Sequence, residues 1–112
     1  MAITTHVLDI ARGKPAAGIT VTLSVRGSGG AWSEVGKGVT EDDGRCKSLL
    51  SGKHAEPGLY RLNFDVGAYH EANRVEGFFP DIAVHFIVRE PGQKFHVPLL
   101  VSPFGYSTYR GS

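Results

Sequence analysis

Imidazole is the side chain best suited to exchange protons near neutral pH, and this 112-residue chain carries five. Two of them occupy positions in strand-like stretches. In Ile3 to Asp9, Ile3, Thr5 and Val7 point one way, and Thr4, His6 and Leu8 point the other. In Phe95 to Ser102, Phe95, Val97, Leu99 and Val101 make an apolar row, with His96, Pro98 and Leu100 opposite. Both imidazoles thus sit off the expected core face. A face holding Leu8, Pro98, Leu100 and two histidines is too apolar for plain solvent and suggests an interface or a pocket. If such imidazoles act, they act as general bases or acids on a bound group. Lone surface histidines are common, so periodicity alone leaves both readings open.

The other polar groups give less. His54 reads as a solvated loop residue, His70 as a surface or packing residue of a short helix, and His85 as exposed on a strand. No pair has the i, i+4 or Cys-His spacing of a zinc motif, so no metal site is expected. Cys46 is the one cysteine and has no neighbouring base. It reads as a structural or incidental thiol, and internal disulfides are ruled out. Arg45 follows a tight turn and, taken alone, reads as a surface cation. There is no Gly-rich phosphate loop and no Gly-x-Ser-x-Gly elbow.

The elements that must carry these groups are mostly short strands. Gly18 to Arg26 alternates cleanly, with Ile19, Val21, Leu23 and Val25 on one face. Ala31 to Val39 reads as a strand anchored by Trp32, and Cys46 to Leu50 as a short one. Leu59 to Val66 puts Tyr60, Leu62, Phe64 and Val66 together. Ile82 to Val88 does the same for Ile82, Val84, Phe86 and Val88. Gly67 to Asn73 is the one plausible helix, about two turns. Asp43-Gly44 predicts a sharp reversal. Strands separated by turn signals, in a chain with 15 glycines, predict an eight-stranded antiparallel β-sandwich with one short helix.

Bulk properties narrow the classes. The length predicts one domain over residues 1–112. A net charge of +1, with no basic stripe, argues against nucleic acid. No stretch reaches the roughly 18 apolar residues of a membrane helix, and the start lacks a signal-like run. A cytoplasmic protein is the expectation. The final nine residues, Phe104-Gly-Tyr-Ser-Thr-Tyr-Arg-Gly-Ser112, are rich in aromatic residues and read as a last strand. An edge strand must be paired or covered, because an open edge invites aggregation.

Several of these stretches together resemble one family. They are Thr4-Thr5-His6-Val7-Leu8-Asp9, Gly44-Arg45, His96-Val97-Pro98-Leu99-Leu100 with Ser102-Pro103, and Tyr106-Ser107-Thr108-Tyr109-Arg110-Gly111-Ser112. They look like the 5-hydroxyisourate hydrolases of the transthyretin-like family, which act in purine (urate) catabolism. The terminal Tyr-Arg-Gly-Ser is the most specific piece. The resemblance spans essentially the whole chain. It implies a homotetramer, a dimer of dimers, with active sites in a central channel bordered by Leu8, Pro98, Leu100 and Ser107. It implies hydrolysis of 5-hydroxyisourate to 2-oxo-4-hydroxy-4-carboxy-5-ureidoimidazoline without metal or organic cofactor. Carried over by position, His6, Arg45, His96 and Ser112 are the implied catalytic residues. Tyr109 joins His6 and Arg45 as a substrate contact, and Arg110 and Gly111 complete the terminal motif. A carrier of a small aromatic ligand and a purely assembling sandwich are the competing readings.

Overall fold

The computed structural model describes residues 3–47, 49–50 and 54–112. Its strands are β1 (Ile3–Asp9), β2 (Lys14–Pro15), β3 (Thr20–Arg26), β4 (Trp32–Val39), β5 (Arg45–Cys46), β6 (Gly58–Phe64), β7 (Ile82–Val88), β8 (Phe95–Ser102) and β9 (Gly105–Thr108); the helix is α1 (Val66–Ala72). One sheet runs β2-β1-β8-β9, with β5 also pairing β1; the other runs β4-β3-β6-β7. The two sheets share one core, so the expected sandwich with one short helix is present. Among the described residues six strands run seven or eight residues and β9 runs four, while β2 and β5 are two-residue pairings against β1.

Alternation decides which side chains enter the core. In β1, Ile3, Thr5, Val7 and Asp9 are buried, while Thr4, His6 and Leu8 are half-buried on the outer face. In β8, Phe95, Val97, Leu99 and Val101 are buried inward. They meet Leu62 and Phe64 of β6 and Ile82 of β7 in one apolar cluster. Each fully buried side chain of this size contributes about 1.5–3 kcal/mol. Thr5 and Asp9 are the polar exceptions and both are satisfied. The Thr5 hydroxyl donates to the Val97 carbonyl at 2.6 Å. Asp9 Oδ1 accepts from the Ala11 and Arg12 amides, and Oδ2 accepts from the Tyr69 hydroxyl at 2.8 Å. That last bond ties α1 to the end of β1.

The pairing of β1 with β8 is parallel, with Thr4 opposite His96, His6 opposite Pro98 and Leu8 opposite Leu100. All other strand pairs are antiparallel. Two local expectations need correction. Trp32 is no core anchor: it lies on the outer face, half-buried beneath the Arg61 guanidinium, 4.4 Å from its ring centroid, and edge-on to His85. It is opposite exposed Arg26, because a register shift at Leu23/Ser24 breaks the simple alternation. On β3, Ser24 is buried and Val25 is half-buried against the core. The strand expected over Cys46 to Leu50 is shorter, Arg45–Cys46; Leu49 and Leu50 form a turn, and Ser48 lies outside the described residues. His70 is a buried packing residue of α1, its ring against Gly77.

Candidate active site

The turn before Arg45 is built by backbone conformation. Gly44 has φ +80, and a Cβ there would collide with the Val7 carbonyl and press on the His6 ring. Glycine alone takes this conformation without penalty. The turn closes with the Gly44 amide donating to the Glu41 carbonyl at 2.8 Å and the Glu41 amide donating to the Arg45 carbonyl at 2.9 Å. The Val7 amide donates to the Gly44 carbonyl at 2.8 Å, which docks the turn onto β1. Arg45 and His6 thereby become direct cross-strand partners. The Asp43-Gly44 pair, read as a reversal, is the device that brings a distant guanidinium beside the first histidine.

His6 Nε2 lies 2.8 Å from the Asp43 carbonyl oxygen. A carbonyl can only accept, so Nε2 carries the hydrogen and Nδ1 is the bare nitrogen of the neutral ring. The Arg45 amide donates to Asp43 Oδ1 at 3.0 Å. Its Nε is 3.7 Å from Asp43 Oδ2, in a half-exposed pair of little energetic weight.

His96 lies across the strand pair from Thr4, whose Oγ1 is 2.8 Å from Nδ1. Burial pushes the His96 pKa below its ordinary value near 6.5, and the charges of Arg45, His6 and Lys94 push the same way. Both causes favour the uncharged imidazole.

The tail beyond β9 folds back along β8. The Gly111 amide donates to the His96 carbonyl at 2.7 Å. The Arg110 guanidinium covers the Phe95 ring at 4.9 Å. This close return needs the missing side chain of Gly111, since a Cβ there would stand 2.6 Å from His96 Cδ2. It delivers Ser112 to a pocket of about 240 Å³ whose walls include Thr4, Arg45, Lys47, Lys94 and His96.

The structure thus gathers Arg45, His96 and Ser112 at one pocket, with His6 alongside as the strand partner of Arg45. On the same outer face, Leu8, Leu100 and Ser107 form one row across β1, β8 and β9. Pro98 lies opposite His6. Tyr109 stands apart. It is exposed and lines a different cavity of about 240 Å³, shared with Phe95, Val97 and Ile87. Sequence reading assigned no role to Thr4, Lys47 or Lys94. For Thr4 and Lys94 the signal was present: each is two residues from a singled-out histidine, hence on the same strand face. Among the described residues, no three His, Cys, Asp or Glu side chains converge as a metal site. No helix there is long and apolar enough to cross a membrane.

Comparison with known proteins places this site in context. The sequence model described as the HIUase/Transthyretin family matches residues 3–111. A Mus musculus protein named 5-hydroxyisourate hydrolase is 45% identical over 111 residues, covering 98% of this chain and 94% of that one. The structure of Klebsiella pneumoniae 5-hydroxyisourate hydrolase superposes with a TM-score of 0.86 at 36% identity, covering 100% of both chains. Sea bream transthyretin in complex with thyroxine superposes with a TM-score of 0.91 at 28% identity, covering 97% of this chain and 93% of that chain. A match over nearly the full length, in sequence and in fold, makes this chain a member of the HIUase/Transthyretin family.

Proposed function

We propose that this protein is a 5-hydroxyisourate hydrolase of urate catabolism. The observation that carries the reading is the His96 imidazole, its Nδ1 2.8 Å from Thr4 Oγ1, in a pocket walled by Arg45 and Ser112, where burial and neighbouring charges lower its pKa. The relatives named 5-hydroxyisourate hydrolase supply the substrate.

Water is a poor nucleophile at neutral pH, so a base must take its proton as it attacks. Such a base is worth about 10²–10⁴-fold in rate. Thr4 Oγ1 can accept as well as donate, and assigning the ring hydrogen to Nδ1, towards Thr4, leaves His96 Nε2 bare for this task. His6, bare at Nδ1, is the second candidate. Water adds to the ring acyl carbon, and Arg45 steadies the oxyanion. The bond from that carbon to the ring nitrogen then breaks, and the imidazolium returns its proton to the leaving nitrogen. The product carries a carboxylate where the carbonyl was and a ureido group where the ring was closed. Water supplies the hydroxyl and the proton that one imidazole passes to the leaving nitrogen, and the new carboxylic acid releases its own proton to solvent, so the assigned scheme uses no cofactor. Ser112 holds water or substrate by hydrogen bonds.

Tyr109 is assigned as a substrate contact. Because it lines another cavity within one chain, that contact would cross a subunit boundary in a homotetramer, a dimer of dimers. The row Leu8, Leu100, Ser107, with Pro98, would then border the channel between dimers. The single domain would work in the cytoplasm.

The test is the ultraviolet absorbance of 5-hydroxyisourate made freshly by uricase. The protein should accelerate its decay, and His96→Ala should cut the acceleration by orders of magnitude in a folded protein. Equal decay with and without protein would sink the proposal. The likeness to transthyretin in complex with thyroxine favours one second reading, a carrier without turnover. It predicts that ligand binding survives loss of both His6 and His96.

A further inference from the structure

We propose that Lys47 and Lys94 make this pocket selective for a planar heterocycle in its anionic form, acting as a recruiting pair beyond the catalytic set. The inference deepens the hydrolase reading by naming the ionisation state of the molecule the site takes.

Three cations, Arg45, Lys47 and Lys94, line a pocket of about 240 Å³, and no Asp or Glu side chain is among its walls. The one carboxylate engaged with Arg45 is Asp43, which holds it loosely at 3.7 Å from the turn behind it. Lys47 follows Cys46 directly out of β5, and Lys94 leads directly into β8. The two lysines therefore sit at the ends of separate strands that converge on one opening. Both are exposed. Along the chain the positive and negative side chains are interspersed, and the net charge is only +1. The concentration of cations at this opening is thus local. A cleft whose charged side chains share one sign raises the local concentration and capture rate of the opposite ion by roughly 10–10³-fold.

A bound anion would also change His96. The side chains bearing on that ring are Arg45 on β5, His6 and the Thr4 hydroxyl on β1, and Lys94 on its own strand's approach, while the tail packs Gly111 on the ring and brings Ser112 to the same pocket. All the charged ones disfavour the imidazolium. A ligand anion offsets them, so the imidazole becomes a stronger base only once the pocket is filled. Protons are then taken from water beside substrate rather than in the empty site.

The experiment compares wild type, Lys47→Gln/Lys94→Gln, and Lys14→Gln/Lys37→Gln. The last pair carries the same change in net charge on exposed positions of β2 and β4, outside the pocket. Calorimetry measures binding of urate monoanion and of caffeine, a neutral purine of similar plan. Wild type should prefer the anion by about tenfold or more, with affinity falling as salt rises. The pocket double variant should lose most of that preference and its salt dependence, and the control should keep both. In turnover, the pocket variant should lose kcat/KM mainly through KM. NMR of the His96 ring should show its pKa rising when urate binds wild type. Equal binding of the two purines, or a preference unchanged in the pocket variant, would overturn the inference. Absent turnover with the anion preference intact would instead sink the hydrolase reading and leave the selectivity standing.

Discussion

Thr4 Oγ1 and His96 Nδ1 lie 2.8 Å apart across the parallel β1–β8 pair, although 92 positions separate them in the chain. The contact holds one ring nitrogen and leaves the other free. Thr4→Val keeps the shape of the side chain and removes the hydroxyl. With His96 as the proposed base, it should reduce kcat by about 10- to 100-fold, because a base unfixed in tautomer and orientation loses much of the roughly 10²–10⁴-fold such a group supplies. Thr4→Ser should restore most of the rate. A valine variant as active as wild type would show that the hydroxyl does not position the ring.

Burial and the charges of Arg45, His6 and Lys94 lower the pKa of His96. The acid limb of kcat/KM should therefore fall below the ordinary histidine value near 6.5. In Arg45→Gln one of the charges opposing the imidazolium is gone, so the limb should move up toward that value while the rate drops. The same shift governs stability. The folded protein binds this proton less readily than the unfolded chain, so the contribution is complete above the unfolded pKa. It is lost as pH falls from there through the lower folded pKa. Denaturant midpoints measured across this range should decline less in His96→Gln.

Gly111 returns along β8 with its amide on the His96 carbonyl. Gly111→Ala places a methyl 2.6 Å from His96 Cδ2, so either the ring or the tail must shift. A displacement of about 1 Å at a catalytic group can cost about 10²-fold. Activity should fall by about that factor while the melting temperature changes by only a few degrees. A comparable loss of both would show a folding defect.

Tyr69 donates to the buried Asp9 carboxylate at 2.8 Å. Tyr69→Phe removes the donor and leaves buried Asp9 Oδ2 without that partner. The cost should be about 1–3 kcal/mol in urea unfolding, the penalty of an unsatisfied buried acceptor. Burial, with the Asp9 bond adding to it, also raises the Tyr69 pKa. The phenol therefore stays protonated and donating well into the alkaline range.

Some of this architecture was readable before any coordinates. Alternation in β1, β6 and β8 assigned the buried rows correctly, because a pleated strand with one buried face must repeat every two residues. Asp43-Gly44 announced its reversal because few residues accept positive φ. The resemblance named the site residues through local motifs. Trp32 misled for the opposite reason: a heavy aromatic looks like core, and the register shift that turned it outward is set by pairing with a neighbour strand.

What the chain alone determined is therefore local: element type, face, turn, and the family to which the motifs belong. Tertiary structure alone decided that β1 and β8 run parallel in a register that sets Thr4 against His96. It also decided that the tail returns to deliver Ser112, that Tyr109 faces another cavity, and that Lys47 and Lys94 share one opening. Residues distant in sequence meet only because sheet pairing and core burial are satisfied together, and no local pattern encodes which strand a given strand will choose.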